Sequence, residues 1–377
     1  MHIVFLSGEY PIWTSGGVGT FIQTFGRLLV REGHLVSVVG PGKDTSEVKL
    51  EDQGVQLYRL PGNRSKLPDF WHNSGQINKK LEQLHAERAI SIIESAEAGL
   101  ALLSKKHLAK KIIRLHGGHH FFSEAEKRGI YWRKGWLEKR SFKKADGFIA
   151  ISQYVKEHTA KYLSYRNQPI EIISLPLNTA KDIPTVAPQE DRILFAGTVC
   201  EKKGVRQLIE AFKLVRQKHP RKILDFYGRE WFYPNGDSYT EMLKRTYDAK
   251  YFENVHFHGS VPRDVLDIKY VQSSFCVFPS HMETQGLVSI EAMLLKKPVI
   301  FSKYGPGPET VEHEKTGLLC DVYDVNDIAE KMLWYIENPE EAKKLGENAR
   351  NVVREKYDSN MILQKNLTFY RQIIARN

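Results

Sequence analysis

The chain has little cysteine: Cys200, Cys276 and Cys320 are the only three in 377 residues. The number is odd and the spacing matches no metal-ligand pattern. That argues against a disulfide framework and a cysteine zinc site, and reduced thiols in a cytoplasmic protein are the simplest account. No apolar run approaches the roughly 20 residues of a membrane-spanning helix. The opening MHIVFLSGEYP has no basic n-region and too short an apolar stretch to read as a secretory signal. Short repeats and low-complexity segments are missing, and so are the zinc-finger and RRM-like signatures of nucleic-acid binders. What remains is 41% hydrophobic and 27% charged, ordinary for a soluble globular protein, and long enough for two domains.

Acidic residues are the scarcer charge, and the imbalance is local. Residues 1–180 carry 26 Lys+Arg against 17 Asp+Glu, a net of +9, while the rest carries 29 against 28. The excess concentrates in 105–144, including Lys105, Lys106, Lys110, Lys111, Lys127, Arg128, Arg133, Lys134, Lys139, Arg140, Lys143 and Lys144. Such a run reads either as a solvated helix face or as a surface for anionic lipid or a phosphorylated substrate. Nucleic acid is not expected.

Short β-like runs alternate with helical patterns. HIVFLS (2–7), HLVSVVG (34–40), AISIIES (89–95), KIIRLHG (111–117), DGFIAIS (146–152) and IEIISLP (170–176) read as strands, and 19–33 as an amphipathic helix ending at Gly33. The polar, proline-containing segment 176–192 reads as a linker. After it the alternation restarts with RILFAGT (192–198), the helix 205–219, and KILDFYG, NVHFHGS, SFCVFPS and KPVIFS. The expectation is α/β with two doubly wound parallel-sheet domains facing a cleft, 1–178 and 179–358, and a C-terminal helix in 359–377 crossing back to the first.

In open α/β sheets ligands bind beyond the carboxyl ends of the strands, so the residues there are the candidates. SGEYPIWTSGGVGTF follows the first strand and brings Gly16, Gly17 and Gly19 to a helix start, either a backbone approach to an anion or a plain glycine-rich turn. It is not GxGxxG, which weakens a dinucleotide reading. HGGHHFF follows the strand at 111–115. His116 suits a polar contact to a sugar hydroxyl or phosphate. The spacing of His116, His119 and His120 does not suit a metal site, and packing is the simplest role for the latter two. In the second half Lys202 and Lys203 precede a helix start at Gly204, and Arg229 follows a strand and a glycine. METQGLVSIEAM (282–293) places Glu283 before a helix start and Glu291 little more than a turn inside it. The free N–H groups of Gly286, Leu287 and Val288 form an anion site suited to a diphosphate. Glu291 lies roughly 6–8 Å along the helix at 1.5 Å per residue, a reach that suits both hydroxyls of a ribose. The pattern matches a nucleotide-sugar; from spacing alone it also describes a helix start with one solvated glutamate.

These residues resemble the retaining glycosyltransferases of family 4, which have the GT-B fold. The resemblance rests on Glu283-TQGLVSI-Glu291 as an E-x7-E signature, GGVGTF, HGG, KKG, and the run from Pro279 to Cys320. It implies transfer of a sugar from a nucleotide-sugar, with UDP-glucose as the expected donor, to a glycan or lipid-linked acceptor, with retention of configuration and no metal or other cofactor. Carried over by residue, it implies that Glu291 holds the ribose and that Gly286, Leu287 and Val288 hold the diphosphate. Glu283 meets the donor sugar, Lys203 neutralises the leaving diphosphate, Gly17 lies near the phosphates and His116 lies near the reaction centre. Two positions depart. The family's arginine in G-R-x-x-x-x-K-G is Thr198 here, a gap that Arg229 or Lys202 would fill, and the usual N-G-V-D begins at Asn178 as N-T-A-K. A nucleotide-sugar epimerase and a non-catalytic nucleotide-sugar-binding protein are the competing readings. A lipid-diphosphate acceptor at an anionic membrane surface would suit the +9 half, with the protein cytoplasmic and peripheral to the inner face.

Overall fold

The computed structural model describes residues 1–13, 16–66, 68–125 and 129–376. Thr14 and Ser15 of the glycine-rich loop, Lys127 and Arg128 of the basic run, and Asn377 of the C-terminal segment lie outside the described residues. The chain divides into two units. One is Met1–Pro176 together with the helix from Ser359; the other is Leu177–Asp358.

The first unit is built on eight strands, β1 (His2–Leu6), β2 (Leu35–Pro41), β3 (Val48–Asp52), β4 (Val55–Leu60), β5 (Ile92–Ser95), β6 (Lys110–Leu115), β7 (Gly147–Ala150) and β8 (Ile170–Ile172), in the order β3-β4-β2-β1-β5-β6-β7-β8. Only β3 runs antiparallel, paired with β4. The inner strands are mostly apolar and buried because helices cover both faces, as parallel sheets require. Those helices include α1 (Gly17–Arg31), α2 (Asp69–Glu87), α3 (His119–Ala125), α4 (Trp132–Phe142) and α5 (Gln153–Ala160).

The β3–β4 hairpin was not expected. Its turn places Gln53 and Gly54 at φ 50° and 86°, the pair of positive values that a two-residue hairpin turn demands. Asp52 at the turn accepts hydrogen bonds from Tyr10 Oη (2.6 Å), Gln23 Nε2 (2.9 Å) and Arg27 Nη2 (2.6 Å to Oδ1), pinning the hairpin to α1.

The C-terminal helix (Ser359–Ala375) joins this unit through a buried polar network. Arg114, one residue from the end of β6, has no exposed surface. Its Nε donates to Glu94 Oε1 (2.7 Å) on β5 and its Nη2 to Asn366 Oδ1 (2.6 Å) on the helix. Tyr370 donates to the other Glu94 oxygen, and Arg114 also lies over the rings of Phe21 and Phe25 at 4.6 and 5.5 Å. Paired so, the charges are tolerable; singly they are not.

The second unit has a six-stranded, all-parallel sheet: β9 (Arg192–Ala196), β10 (Ile223–Tyr227), β11 (Val255–Phe257), β12 (Phe275–Phe278), β13 (Val299–Ser302) and β14 (Leu318–Cys320), ordered β11-β10-β9-β12-β13-β14. Among its helices are α6 (Val205–Lys218), α7 (Tyr239–Thr246), α8 (Arg263–Gln272) and α9 (Leu287–Leu294). β14 escaped the sequence reading because three residues carry too little pattern. In both sheets the strand order reverses once, between β1 and β5 and between β9 and β12. Loops leaving adjacent strands at such a point diverge and leave a crevice where α/β proteins bind ligands. The three cysteines are unpaired and buried.

Glu94→Ala would strand the Arg114 charge in the core. It is expected to cost about 3–5 kcal/mol, seen as a lower denaturant midpoint for the first unit; an unchanged midpoint would show that the network does not hold the unit together.

Candidate active site

The crevice between β9 and β12 gathers most of the expected donor residues. β9 leads through Gly197 and Thr198 to a 3-10 turn, Glu201–Lys203, and then to α6. Gly204, between turn and helix, has φ 69°, and a Cβ there would strike the Pro279 carbonyl. The loop after β9 is therefore pressed against the loop after β12. That contact brings Lys203 Nζ onto Glu283 Oε1. Ser280 Oγ donates to the same oxygen at 3.2 Å. Both charged side chains are largely buried.

α9 starts at Leu287, with Gly286 as its left-handed cap at φ 75°. A side chain at Gly286 would collide with the Phe301 ring. The amides of the first turn point out of the helix start, where no intrahelical acceptor exists for them. Five residues beyond the cap, Glu291 is buried, with 7% of its surface exposed. One oxygen, Oε1, is paired with Arg263 at the start of α8. The other, Oε2, is buried without a hydrogen-bond partner. An unsatisfied buried carboxylate oxygen costs on the order of 1–3 kcal/mol or more, so this atom is set up for donors that are not part of the unit. Arg263 was missed in the sequence, where an arginine at a helix start directly after a proline looks like solvent-facing charge.

Thr198 takes the place of an expected arginine, and Arg229, arriving at the end of β10, donates from Nε to its hydroxyl at 3.3 Å. Backbone bonding keeps the two loops together: Val199 N donates to Arg229 O at 2.9 Å. A guanidinium is thus present beside Thr198, supplied by the neighbouring strand.

Gly17 and His116 belong to the first unit, Gly17 opening α1 and His116 directly following β6. Gly16 and Gly19 make room for Glu9, whose Oε2 accepts from Gly19 N at 3.4 Å, so a carboxylate already sits at the start of α1. Among the described residues, a Cβ on Gly17 would meet nothing within 4 Å. Packing inside the unit does not account for this glycine. His116 packs against Phe21 with ring centres 5.2 Å apart. Burial, helped by the Arg114 charge, pushes its pKa down to about 3. The imidazole is a neutral donor or acceptor at ordinary pH.

Two glutamates that the sequence did not single out hold the loop after β6. Glu97 accepts from Gly117 N at 2.7 Å. Glu138, buried on α4, accepts from the His120 amide at 3.0 Å, and also from the His119 amide and His120 Nδ1. Burial, with the Glu138 charge nearby, pushes Glu97 up to about 8. His119 and His120 thus serve the start of α3. Among the described residues no cluster of three or more His, Cys, Asp or Glu is placed to hold a metal.

The basic run 105–144 is not one surface. Lys111 is buried and donates to His107 O and Ala109 O at 2.9 and 3.0 Å. Lys144 is buried as well, its Nζ capping the carbonyls of Leu100 (3.1 Å), Ala101 (2.8 Å) and Leu103. Burial lowers the Lys144 pKa to about 8. The exposed cations that remain on α4 are Arg133, Lys134, Lys139 and Arg140. No helix among the described residues is long and apolar enough to cross a membrane.

Comparison with known proteins bears on what such a site does. Residues 178–352 match the family of glycosyl transferases group 1, and residues 15–181 match glycosyltransferase family 4. The chain is 31% identical over 258 residues to an uncharacterized glycosyltransferase of Methanocaldococcus jannaschii, across 66% of this chain and 65% of that one. Its structure is similar to sucrose-phosphate synthase from Thermosynechococcus elongatus, with a TM-score of 0.83, 22% identity and 99% of each chain covered. It is also similar to Anabaena HepE in complex with UDP and glucose, with a TM-score of 0.77, 17% identity, and 97% and 98% covered. At these identities the structural likeness shows the fold. The two family matches run together from residue 15 to residue 352 across both units, so the chain carries a glycosyltransferase family 4 region followed by a glycosyl transferases group 1 region, on the GT-B fold of its structural neighbours.

Proposed function

We propose that the protein transfers a hexose, with glucose as the first candidate, from a UDP-sugar to a glycan or lipid-linked acceptor, keeping the anomeric configuration. The observation that carries this reading is Glu291 Oε2, buried and unpaired inside the helix whose first-turn amides face outward. A ribose supplies hydroxyl donors for the carboxylate, and a diphosphate supplies acceptors for the amides of Gly286, Leu287 and Val288. UDP is favoured because solved neighbours of the same fold are described as complexes with UDP and with UDP-glucose.

In this reading the bond from the sugar's anomeric carbon to the diphosphate oxygen breaks while a bond to the acceptor oxygen forms, and the acceptor proton passes to the leaving phosphate. Negative charge grows on that phosphate. Lys203, Arg229 and the α9 amides are the groups that would stabilise it, an electrostatic contribution that is usually large. No metal is among the requirements, and full activity in excess chelator is the matching expectation. Glu283, paired with Lys203, orients hydroxyls of the donor sugar. His116, being neutral, donates or accepts one hydrogen bond near the reacting carbon without adding charge. Gly17 gives the phosphates a close backbone approach. An epimerase would convert donor without acceptor, and a binding module would leave it intact.

NMR of the products formed from UDP-glucose with an acceptor is expected to show an α-linked glucoside. A β-linked product would contradict retention, and conversion of donor alone to its epimer would contradict transfer. In the same assay Arg229→Ala should lower turnover by at least about tenfold, about 1.4 kcal/mol of barrier; full turnover would remove Arg229 from phosphate stabilisation.

The His116 ring is expected to stay neutral in an NMR titration from about pH 8 to 5. Its folded pKa lies below the ordinary 6.5, so the unfolded chain takes up this proton first and stability falls as pH drops below that value. A His116 midpoint near 6.5 would contradict a neutral role.

A further inference from the structure

The first unit has its own crevice where its strand order reverses, between β1 and β5, and there the structure holds an open cavity of about 400 Å³. That volume lies within the roughly 300–1,000 Å³ of small-molecule sites. Its floor is the end of β1 and β2, at Leu6 and Val39. Its walls are Phe70 and Ile77 of α2, Leu137 of α4, and Leu102 of the 3-10 turn Gly99–Leu102 that follows β5. The wall is almost entirely carbon. Ser7, one of its two polar side chains, already donates to Glu9 O at 2.9 Å, which leaves Asn73.

The turn's polar groups are spoken for by the flanking helices. Ser74 Oγ and Asn78 Nδ2 of α2 donate to Leu102 O at 2.7 and 2.9 Å, and Arg140 Nε of α4 donates to Ala101 O at 3.0 Å. These bonds hold α2 and α4 apart around the turn and keep the space between them apolar. A sugar ring, which needs several hydrogen bonds when buried, finds few partners here.

The rim has a different character. Phe70 contacts Trp71 and Trp136, with ring centres at 5.2 and 5.6 Å. Arg140 lies over both Phe70 and Trp136, and Arg133 over Trp132, at 5.9, 5.4 and 5.3 Å. Trp71, Trp132 and Trp136 are 64%, 68% and 47% exposed. Half of the chain's six tryptophans therefore stand in solvent on α2 and α4, the two helices that wall the cavity, where tryptophan is normally mostly buried. The one acid on α4, Glu138, is buried and turned to the amides of α3, so the exposed face of this helix is purely cationic. Tryptophan beside arginine and lysine is the composition that settles at a lipid headgroup layer, rings at the boundary and cations on anionic groups.

We propose that this cavity takes the hydrocarbon chain of an anionic lipid acceptor held in a bilayer, with Trp71, Trp132 and Trp136 in the headgroup layer and Arg133, Lys134 and Arg140 against anionic headgroups. The proposal rests on the transferase reading and narrows its acceptor from glycan or lipid-linked to lipid-linked.

The test uses no nucleotide. Tryptophan fluorescence of the full chain is titrated with dodecyl phosphate and, separately, with inorganic phosphate. Saturable binding of the first and none of the second is expected. Ile77→Trp, which pushes a larger side chain into the cavity, should weaken dodecyl phosphate at least about tenfold, while its melting temperature and UDP affinity stay at wild-type values. If that variant does not fold, Leu137→Trp narrows the cavity from the opposite wall. Co-sedimentation is expected with vesicles containing phosphatidylglycerol, weaker with phosphatidylcholine alone, and lost in the Arg133→Glu, Lys134→Glu double variant. Equal response to dodecyl phosphate and inorganic phosphate, undiminished dodecyl phosphate binding in a folded filled variant, or equal sedimentation with both vesicles overturns the proposal. Failure of UDP to bind the wild-type protein would instead count against the transferase reading, leaving the lipid result to stand or fall by itself.

Discussion

A carboxylate buried with one oxygen unpaired is expensive, and the second unit is arranged around carrying that cost at Glu291. Three features make it possible. Arg263 neutralises one oxygen. Gly286, in a left-handed conformation that leaves no room for a Cβ beside Phe301, lets the chain turn straight from the β12 loop into α9. Burial of α9 against β12 and β13 fixes the direction in which Glu291 points. The residual cost is a reservoir for binding: a ligand that supplies hydroxyl donors removes it. Lys203 and Glu283 show the same economy at the neighbouring loop, two charges that satisfy each other until something more strongly charged arrives.

Both units apply one topological rule to opposite chemistries. Where β9 and β12 part, the crevice is lined by charges, helix-start amides and the Arg229–Thr198 pair, an environment for a diphosphate. Where β1 and β5 part, it is lined by carbon and rimmed by exposed tryptophan and arginine. Beside it, the loop after β6 carries a histidine kept neutral and a glutamate whose pKa is raised. A low-dielectric setting with few net charges favours neutral groups, and the buried Arg114 adds to this by disfavouring a second cation at His116.

Much of this was legible in the sequence, for reasons that are local. Buried parallel strands are apolar throughout, and the amphipathic helices between them have a 3.6-residue period, so His2–Leu6, Val205–Lys218 and Ser359–Ala375 could be placed closely. Glu283, Gly286 and Glu291 lie on one short segment, and their relation is one of helix geometry. What was not legible depends on partners distant in sequence. Arg263 meets Glu291 from another helix. Arg114 meets Glu94, Asn366 and Tyr370 across two strands and the chain terminus. Glu97 and Glu138 reach the histidine loop from separate elements. Lys111 and Lys144 looked like surface charge because composition does not reveal which lysines cap carbonyls. The β3–β4 hairpin did leave a signal, Gln53-Gly54 between alternating residues, but it was hidden beside the stronger pattern of the long strands.

The central claim is that Glu291 and the start of α9 form the nucleotide site. Calorimetric titration with UDP, GDP and ADP, of the wild-type protein and of Glu291→Ala, tests it most directly. The account predicts that UDP binds the wild-type protein best and that its affinity falls by at least about a hundredfold in the variant, close to two steps of 1.4 kcal/mol. UDP binding the variant as tightly as the wild-type protein would contradict it.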